Sequence, residues 1–527
     1  MTQDFNVDVV VVGGGLSGLS AAHLIQQKDA SVRLLVLEAK DRVGGRTLTK
    51  KLMSSGSSED AWDLGGQWVG RTQPKVMNLI EELGLTIFRQ FHNGKKLMML
   101  GDDKIRSYKN TIPSLSICAL LDLNHFLQKV DYMCRQVPVD QPIKCKQAEA
   151  WDRMTLHSFM QKTLWTKGAK DTIDATVRIV LGVETSQISL LYFLHYGAAA
   201  GGLEPLIESN ENGGQEYKIQ GGAQQLSQML VDKIGVENVW LSHPVFKITQ
   251  TNSGVTIDTL NGKCVQCNRA IIAIPPMQSG RILHEPDLPC YKRELYQRMP
   301  VGHIIKFIVI YKNAFWRDQG FSGEIVCHGG PTQMEGCDSG PLGVLFDCTS
   351  PGGTPGLVGF ISGKQAIQWA NRTEDERKSA VLKSLVEYFG PEADQCVMYM
   401  EKDWGKESYN GGCPVSTVGP GAMTYFASGL RRPFGRLHYA GTESATQWCG
   451  FLNGAIQAGH RAAVEVMYEL RPQTISGKEL EGTAYCTLPS VEPLPKKSRH
   501  ILRFTFALGA IVVFVAVARK AYFRIAL

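Results

Sequence analysis

Three glycines follow an apolar run near the start of the chain. Residues 9–12 are all valine, and Gly13, Gly15 and Gly18 have the spacing G-x-G-x-x-G. This spacing is typical of a tight turn from a buried strand into a helix, where backbone N–H groups can approach a pyrophosphate. Residues 16–25 predict that helix, whose amino end favours the phosphate charge. We therefore predict a dinucleotide-binding site.

An acidic residue supports this prediction. Glu38 lies about twenty residues beyond the glycines, at the end of a second apolar strand predicted over residues 32–37. A carboxylate in this place can accept hydrogen bonds from both hydroxyls of an adenosine ribose, whereas an NADP site requires a cation. Strand, glycines, helix, strand and acid thus occur in the order that the motif requires.

The segment after Glu38 suggests which dinucleotide is bound. Residues 41–47, Asp-Arg-Val-Gly-Gly-Arg-Thr, resemble the G-G-R segment that follows this motif in the flavin-containing amine oxidase superfamily. The resemblance implies that the cofactor is FAD and that Arg46 reaches its pyrophosphate. The turn-rich stretch 63–70 is of a kind that packs backbone against a ring system. We assign Gly66 and Gln67 within it to the cofactor site.

Two later segments resemble further parts of the same superfamily. The glycine-rich stretch 213–222 precedes a helical run and alternating strands. We assign Gln215 in that stretch to the catalytic site, and Val245, which starts the first of those strands, to the cofactor site. Near the end of the chain, Gly441 and Thr442 follow a strand and precede the start of a glycine-containing helix. Such a helix amino end suits the negative charge of a reduced flavin ring.

These segments predict an interleaved α/β fold, because 527 residues are too many for one core. We predict a Rossmann-like FAD-binding domain and an α+β substrate domain, the latter with mostly helical patterns in its first part. The FAD-binding domain comprises residues 1–89, 212–298 and 400–465, and the substrate domain comprises residues 90–211 and 299–399.

Lys306 is the single cation in the apolar strand 301–311. Its position has two interpretations. An ammonium can extend to solvent from an edge strand while its stem stays buried. The resemblance instead implies a buried lysine beside the flavin, where it can hold a water at the reactive N5 edge. On the strength of the resemblance we assign Lys306 to the catalytic site.

Cys413 connects the chain to one branch of the superfamily. The segment 408–413, Ser-Tyr-Asn-Gly-Gly-Cys, is similar to the site in flavin monoamine oxidases where a cysteine forms a thioether with the flavin 8α-methyl carbon. Trp404 also occupies a position where that family has tryptophan. A lone cysteine is otherwise often a buried apolar thiol. The resemblance implies covalent FAD attached to Cys413.

The sequence departs from that family at the substrate. The family has two tyrosines that stand against the flavin face, and this chain has Pro414 and Phe451 at those positions. Phe451 keeps an aromatic wall, whereas Pro414 removes a ring that would favour a cation by about 0.5–2 kcal/mol. Glu208 brings a carboxylate to a stretch that is apolar in vertebrate enzymes. It is either a contact for a second cation or a solvated loop acid.

The resemblance implies oxidation of an amine. In this reaction a hydride equivalent passes from the amine α-carbon to FAD, the imine is hydrolysed to an aldehyde, and O2 is reduced to H2O2. Polyamine oxidases, L-amino acid oxidases and histone-demethylase-like enzymes are alternatives on the same fold. An amino acid oxidase would need an arginine for the substrate carboxylate, and we can nominate none. A non-enzymatic alternative is a flavoprotein-fold binding module such as a GDP-dissociation inhibitor.

Composition narrows the partners. The net charge of +6 is small and Lys and Arg are scattered, so nucleic acid binding has little support. Cys264 and Cys267 form an isolated C-x-x-C pair, so we predict no metal site. The first strand begins within ten residues of Met1, so we expect no cleavable secretory signal and mostly free thiols. A homodimer is left open.

The end of the chain predicts a membrane anchor. Residues 504–518 carry no charge and are flanked by basic residues on both sides, so we predict a transmembrane helix over residues 501–520. Residues 466–500 form the predicted linker on the membrane surface. This arrangement resembles tail anchors of the mitochondrial outer membrane, with the catalytic body facing the cytosol. A buried core helix and a helix lying on the membrane surface are the alternatives.

Overall fold

A computed structural model describes residues 5–53, 59–100, 104–109, 112–207 and 211–486. These residues form two large and two small β-sheets with helices around them. The strands of the described residues are β1 Phe5–Val12, β2 Leu34–Leu37, β3 Thr49–Met53, β4 Glu59–Asp63, β5 Trp68–Val69, β6 Ile87–Arg89, β7 Lys95–Met99, β8 Arg106–Tyr108, β9 Tyr217–Ile219, β10 Val239–Trp240, β11 Val245–Gln250, β12 Val255–Thr259, β13 Cys264–Ile272, β14 Leu283–Glu285, β15 Ile304–Ile310, β16 Phe321–Cys327, β17 Val344–Asp347, β18 Gly356–Ser362, β19 Met398–Asp403 and β20 Leu437–Tyr439.

The helices fill the space between and around the sheets. Within the same residues they are α1 Leu16–Lys28, α2 Pro74–Glu82, α3 Ile117–Cys134, α4 Ala148–Asp152, α5 Leu156–Thr163, α6 Lys167–Leu181, α7 Leu190–Ala199, α8 Glu204–Ile207, α9 Gln225–Ile234, α10 Pro276–Ser279, α11 Cys290–Gln297, α12 Phe315–Asp318, α13 Lys364–Trp369, α14 Glu374–Phe389, α15 Ala422–Phe426 and α16 Leu452–Leu470.

The first sheet has eight strands in the order β10-β2-β1-β13-β12-β11-β14, and β20 also pairs with β13. Strand β1 lies in its centre and runs parallel to both β2 and β13. Its four valines are fully buried, because helices cover one face and a second layer covers the other. This arrangement confirms the predicted strand–turn–helix–strand order at the start of the chain.

Helices α1 and α16 pack closely at the carboxyl edge of this sheet. A Cβ atom on Gly18 would lie 2.0 Å from the Gly13 carbonyl oxygen, and one on Gly459 would lie 2.2 Å from the Ser17 carbonyl oxygen. Only glycine permits these approaches of one backbone to another. The glycines therefore bring the amino ends of both helices to the same edge of the sheet.

The second sheet has seven strands in the order β19-β15-β18-β17-β16-β7-β8. Strand β15 carries Lys306 and is paired on both sides, antiparallel to β18 and β19. All seven of its residues are buried. The edge-strand interpretation of Lys306 is therefore wrong. Strands β7 and β8, which the largely helical patterns before residue 210 did not indicate, complete the sheet.

None of the described helices is both long and apolar enough to cross a bilayer. The predicted span over residues 501–520 lies outside the described residues, as does the predicted linker from residue 487 onward. Residues 471–486 are described and pack against the first sheet's helices, with Arg471 Nε 3.3 Å from the Asp29 carboxylate and Lys28 paired with Glu479.

Candidate active site

One cavity of about 600 Å³ extends from the carboxyl ends of β1 and β2 to the second sheet. Its nucleotide end is bordered by the first sheet and by the amino end of α1. We call the other part the aromatic end, because its walls include Trp68, Tyr196, Phe346, Phe360 and Phe451. The cavity therefore joins the predicted dinucleotide site to the strand that carries Lys306.

The glycine turn borders the nucleotide end. The Gly13 N–H donates to the Leu37 carbonyl oxygen at 2.8 Å, and Gly13 has a φ of +108°. Gly15 precedes the first residue of α1 and offers no side-chain cap, so the first N–H groups of the helix lack a side-chain partner there. Such groups bind phosphate well. Gly13 and Gly15 line the cavity as predicted, while Gly18 acts through close packing.

Glu38 lies at the carboxyl end of β2 and is buried. Its Oε2 accepts from the Gly14 N–H at 2.6 Å, and its Oε1 accepts from the Lys40 N–H at 2.9 Å. Burial raises the pKa of the Glu38 carboxyl, while these two backbone donors oppose the shift. Two fixed donors hold the carboxylate against the cavity, where it has lone pairs left for the hydroxyls of a ribose.

Arg46 enters the cavity beside the glycine turn. Its Nη1 donates to Glu443 Oε1 at 2.6 Å and to the Pro414 carbonyl oxygen at 2.7 Å, and its Nη2 donates to Glu443 Oε2 at 3.2 Å. Burial lowers the pKa of Arg46, but the charge of Glu443 raises it overall. Sequence reasoning did not single out Glu443, although it adjoins Thr442 in the assigned motif.

The final motif borders the same region. Gly441 has a φ of +96°, and its N–H donates to Ser17 Oγ at 2.9 Å. Thr442 Oγ1 accepts from the Gly450 N–H at 2.8 Å and donates to the Phe451 carbonyl oxygen at 3.0 Å. Phe451 precedes α16 and makes no side-chain cap. A second uncapped helix start therefore faces the cavity, as the sequence predicted.

Lys306 is 2% exposed and lines the cavity. Its Nζ donates to the Gly65 carbonyl oxygen at 2.8 Å and to Gln67 Oε1 at 2.6 Å. It also lies 5.7 Å from the Trp68 ring centroid and 5.5 Å from that of Phe360. Burial lowers the pKa of Lys306 to about 8, although Asp63 opposes the shift. The structure thus places a buried, readily titratable ammonium in the cavity.

Cys413 and Trp404 also line the cavity. The Cys413 N–H donates to the Gly302 carbonyl oxygen at 2.9 Å, in the segment that leads into β15. Burial raises the pKa of the Cys413 thiol to about 12, while the charges of Arg46 and Lys306 oppose the shift. The Trp404 indole Nε1 donates to the Leu64 carbonyl oxygen at 2.9 Å, which fixes its ring next to the segment that contains Gly66.

The aromatic end has walls from several parts of the chain. The Phe451 ring centroid lies 6.3 Å from that of Tyr196 and 5.0 Å from that of Trp448. Pro414 lines the cavity without a ring. Gln215 lines it too, and its Nε2 donates to the Leu206 carbonyl oxygen at 3.4 Å.

The other assigned residues can now be placed. Gly66 and Gln67 lie beside Lys306, and Val245 lies at the nucleotide end. Glu208 lies outside the described residues. Sequence reasoning missed the rings of Trp68, Tyr196, Phe346 and Phe360. Trp68 directly follows Gln67, but the other three are set by long-range strand and helix packing that no local pattern signals.

The cavity fits a flavin dinucleotide. It offers an anchored carboxylate, uncapped helix starts and an arginine at the nucleotide end, and it reaches a buried lysine and aromatic walls. A dinucleotide with a planar ring needs these groups in this order. Among the described residues, no group of three or more His, Cys, Asp or Glu side chains is arranged to hold a metal ion.

Comparison with known proteins agrees with this geometry. The model of the flavin containing amine oxidoreductase family matches residues 16–467. A flavin-containing amine oxidase of Oncorhynchus mykiss is 37% identical over 473 residues, which is 89% of this chain and 87% of that protein. Type B of the same enzyme from Canis lupus familiaris is 38% identical over 466 residues, which is 88% of this chain and 86% of that protein.

A solved structure extends the agreement to the fold. Cyclohexylamine oxidase from Brevibacterium oxydans IH-35A superposes with a TM-score of 0.81 at 30% identity, over 88% of this chain and 99% of that one. These findings confirm the resemblance seen in the sequence, and they give no support to a binding module without enzymatic activity. The chain belongs to the flavin-containing amine oxidase family and is an FAD-dependent enzyme of oxidative amine deamination.

Proposed function

We propose that the substrate is an apolar monoamine whose carbon chain occupies the aromatic end of the cavity. Within the described residues, Glu38 at the nucleotide end is the one acid that lines the cavity. The lining arginines are Arg46, which is paired with Glu443, and Arg281, which donates to Gln278. The aromatic end therefore offers no partner for a second cation or for a carboxylate, and this observation carries the proposal.

Lys306, Gln215, Phe451 and Pro414 are proposed to form the catalytic end. When bound, FAD accepts the hydride equivalent from the amine α-carbon and passes the electrons to O2. The protein contributes by excluding water and by orienting the amine, which should react in its uncharged form. The Lys306 ammonium repels a substrate cation, and the ring of Phe451 supplies an apolar wall.

The cofactor residues are proposed to act in three groups. Gly13, Gly15, Gly18 and Glu38 bind the adenosine and pyrophosphate half through backbone donors and one carboxylate. Gly66, Gln67, Trp404, Gly441 and Thr442 surround the ring and its nearby chain, with Arg46 on the pyrophosphate and Val245 against the adenosine.

A diamine is the second candidate substrate. Putrescine oxidase bound to putrescine superposes on this chain with a TM-score of 0.80 at 26% identity, over 88% of this chain and 99% of that one. A diamine would need an acceptor for its distal ammonium. Glu208 could provide one, but it lies outside the described residues.

A panel of amines tests the substrate proposal. Under anaerobic conditions, aryl-alkyl and cycloalkyl monoamines are expected to bleach the oxidised flavin absorbance, because their apolar carbons match the aromatic end. Diamines, polyamines and amino acids are expected to bleach it at least tenfold more slowly, since about 1.4 kcal/mol of unpaired charge suffices for that factor. Preferential bleaching by putrescine would contradict the monoamine proposal and favour the diamine, and Glu208→Gln would then be expected to reverse that preference.

Cys413 is proposed to bind FAD covalently. The thiol lies at the cavity wall, next to the segment that carries Lys306. Forming the thioether replaces the S–H bond and one C–H bond of the 8α-methyl group with a C–S bond. The two protons and two electrons that are released pass through the ring to O2, the oxidant that the family's reaction already uses.

The division into domains and the membrane anchor are also proposals. Residues 1–89, 212–298 and 400–465 would form the FAD-binding domain, with residues 90–211 and 299–399 as the substrate domain. The apolar stretch within residues 501–520 would anchor the protein in a bilayer, as for tail anchors of the mitochondrial outer membrane, with residues 466–500 leading to it. A homodimer is compatible with this arrangement.

Removal of residues 496–527 tests the anchor. The shortened protein is expected to appear in the supernatant after membrane sedimentation, whereas the full chain stays with the membranes until detergent is added. Val513→Asp in the full chain is a matched variant, because one carboxylate at the centre of a span costs about 2.5–3.5 kcal/mol. A shortened protein that still needs detergent would show that other surfaces bind the membrane.

A further inference from the structure

The contact between Lys306 and Gln67 fixes the orientation of the Gln67 amide. Lys306 Nζ lies 2.6 Å from Gln67 Oε1. An ammonium has only donors, so the atom that faces it must be the amide oxygen and not the amide nitrogen. The nitrogen, Nε2, therefore points away from Lys306, and exchanging the two atoms would set donor against donor.

The Gln67 Nε2 atom is a donor without a partner. Gln67 is 4% exposed and lines the cavity beside Lys306, and in the described part of the chain Nε2 has no hydrogen-bond partner. Almost all buried polar groups in native proteins are hydrogen-bonded, so an orphan of this kind indicates a partner that binds there. The partner must be an acceptor, since the amide N–H2 group can only donate.

We infer that Gln67 Nε2 donates a hydrogen bond to the polar edge of the bound flavin ring, so that Gln67 joins the ring to Lys306. The inference rests on the proposed placement of the ring in this cavity. The ring's carbonyl oxygens and nitrogens are acceptors, whereas an ammonium substrate has no lone pair and is repelled by Lys306. Gln67 is thus a cofactor-binding residue that also positions the catalytic lysine.

A donor at this edge has a measurable consequence. The reduced ring carries more electron density than the oxidised ring, so a fixed N–H donor stabilises the reduced form more strongly. Gln67→Leu removes that donor and is expected to make the reduction equilibrium about tenfold less favourable, which lowers the two-electron midpoint potential by roughly 30 mV. The visible absorption bands of the oxidised flavin should shift as well.

Two further variants make the test specific. Gln67→Glu is almost isosteric, and its carboxylate still accepts from Lys306 but has no N–H to donate, so its potential should also fall. Gln73→Leu is the matched control. Gln73 is equally buried and has an orphan Oε1, but it does not line the cavity, so its replacement should leave the potential and the absorption bands unchanged.

A double-variant cycle with Lys306 completes the experiment. In a Lys306→Met background the Gln67 amide loses its anchor, so Gln67→Leu should lower the potential by less than it does in the wild type. Wild-type potentials and absorption bands in both Gln67→Leu and Gln67→Glu would overturn the inference and would leave Gln67 with a water as its partner. The substrate proposal fails separately, if monoamines do not bleach a wild-type protein that holds its flavin.

Discussion

A Lys306→Met variant is expected to bind its amine nearly normally while its turnover falls roughly 100-fold, the scale measured when one fixed donor is removed from a catalytic site. Lys306 lies at the cavity wall with Gly65 and Gln67 as acceptors, and the carbon walls of the aromatic end do not depend on it. Stopped-flow measurement of flavin reduction and reoxidation, beside the dissociation constant of the amine, separates the two effects.

The pH dependence of the same reaction tests the role of the lysine more sharply. Two N–H bonds of Nζ point to the Gly65 oxygen and to Gln67 Oε1, so one position on the nitrogen remains for the cavity. That position is a donor when Lys306 is charged and a lone pair when it is neutral. Because burial lowers the pKa of Lys306 to about 8, the wild type should show an inflection near pH 8 that Lys306→Met abolishes.

Protein stability should report the same proton. The folded pKa of Lys306, about 8, lies below its ordinary value of 10.5, so the unfolded chain binds more protons between these pH values. Stability therefore rises with pH across this window, and the cost of the buried charge is fully present below pH 8. Lys306→Met should remove this rise while adding stability at neutral pH.

The matched control for Lys306 is a second buried lysine. Lys218 is 7% exposed and lies over the ring of Phe88 at 5.1 Å, but it does not line the cavity. Lys218→Met should leave turnover and its pH profile close to those of the wild type. Equal losses in both variants would show that removing any buried charge here disturbs the fold, and would end the catalytic assignment of Lys306.

The nucleotide end could be predicted from the sequence because its chemistry is local. Gly13, Gly15, Gly18 and Glu38 lie within one strand–turn–helix–strand unit, and short-range backbone rules fix their relative positions. The same holds for Gly441 and Thr442, which follow β20 and precede α16. A single sequence records such arrangements directly in its spacing.

The aromatic end could not be predicted in the same way. Phe360 lies opposite Lys306 only because β15 pairs with β18 in one particular register, and Tyr196 comes from the separate helix α7. These contacts depend on non-local packing, for which residue spacing gives no signal. The edge-strand interpretation of Lys306 was wrong for the same reason, since the strands on both sides of β15 come from later parts of the chain.

The change of Pro414 and Phe451 from the family's tyrosine pair acquires a physical meaning from this end of the cavity. Tyr196 and Phe451 are 6.3 Å apart, which is too close for an amine to enter between their rings. An amine must therefore lie against one continuous aromatic wall, with the ring-free side of Pro414 across from it. A wider carbon skeleton can be accommodated there, which agrees with the proposed preference for apolar monoamines.

Cys413→Ala is expected to give a folded protein whose flavin appears in the supernatant after acid precipitation, whereas wild-type flavin stays in the pellet. The physical reason is that only a covalent bond survives denaturation, since every hydrogen bond and packing contact of the cavity is lost with the fold. Loss of one thioether leaves Glu38, Arg46 and the glycine turn in place, so the native variant should still bind FAD. Absorbance of the supernatant and pellet measures the distribution.

Cys449→Ala is the control for this experiment. Cys449 is also buried and also close to Arg46 and Glu443, but it does not line the cavity. Its flavin should therefore remain in the pellet, as in the wild type. Flavin that stays in the pellet of Cys413→Ala would refute the thioether at this residue, and flavin released from the wild type would show that this family member binds FAD without a covalent bond.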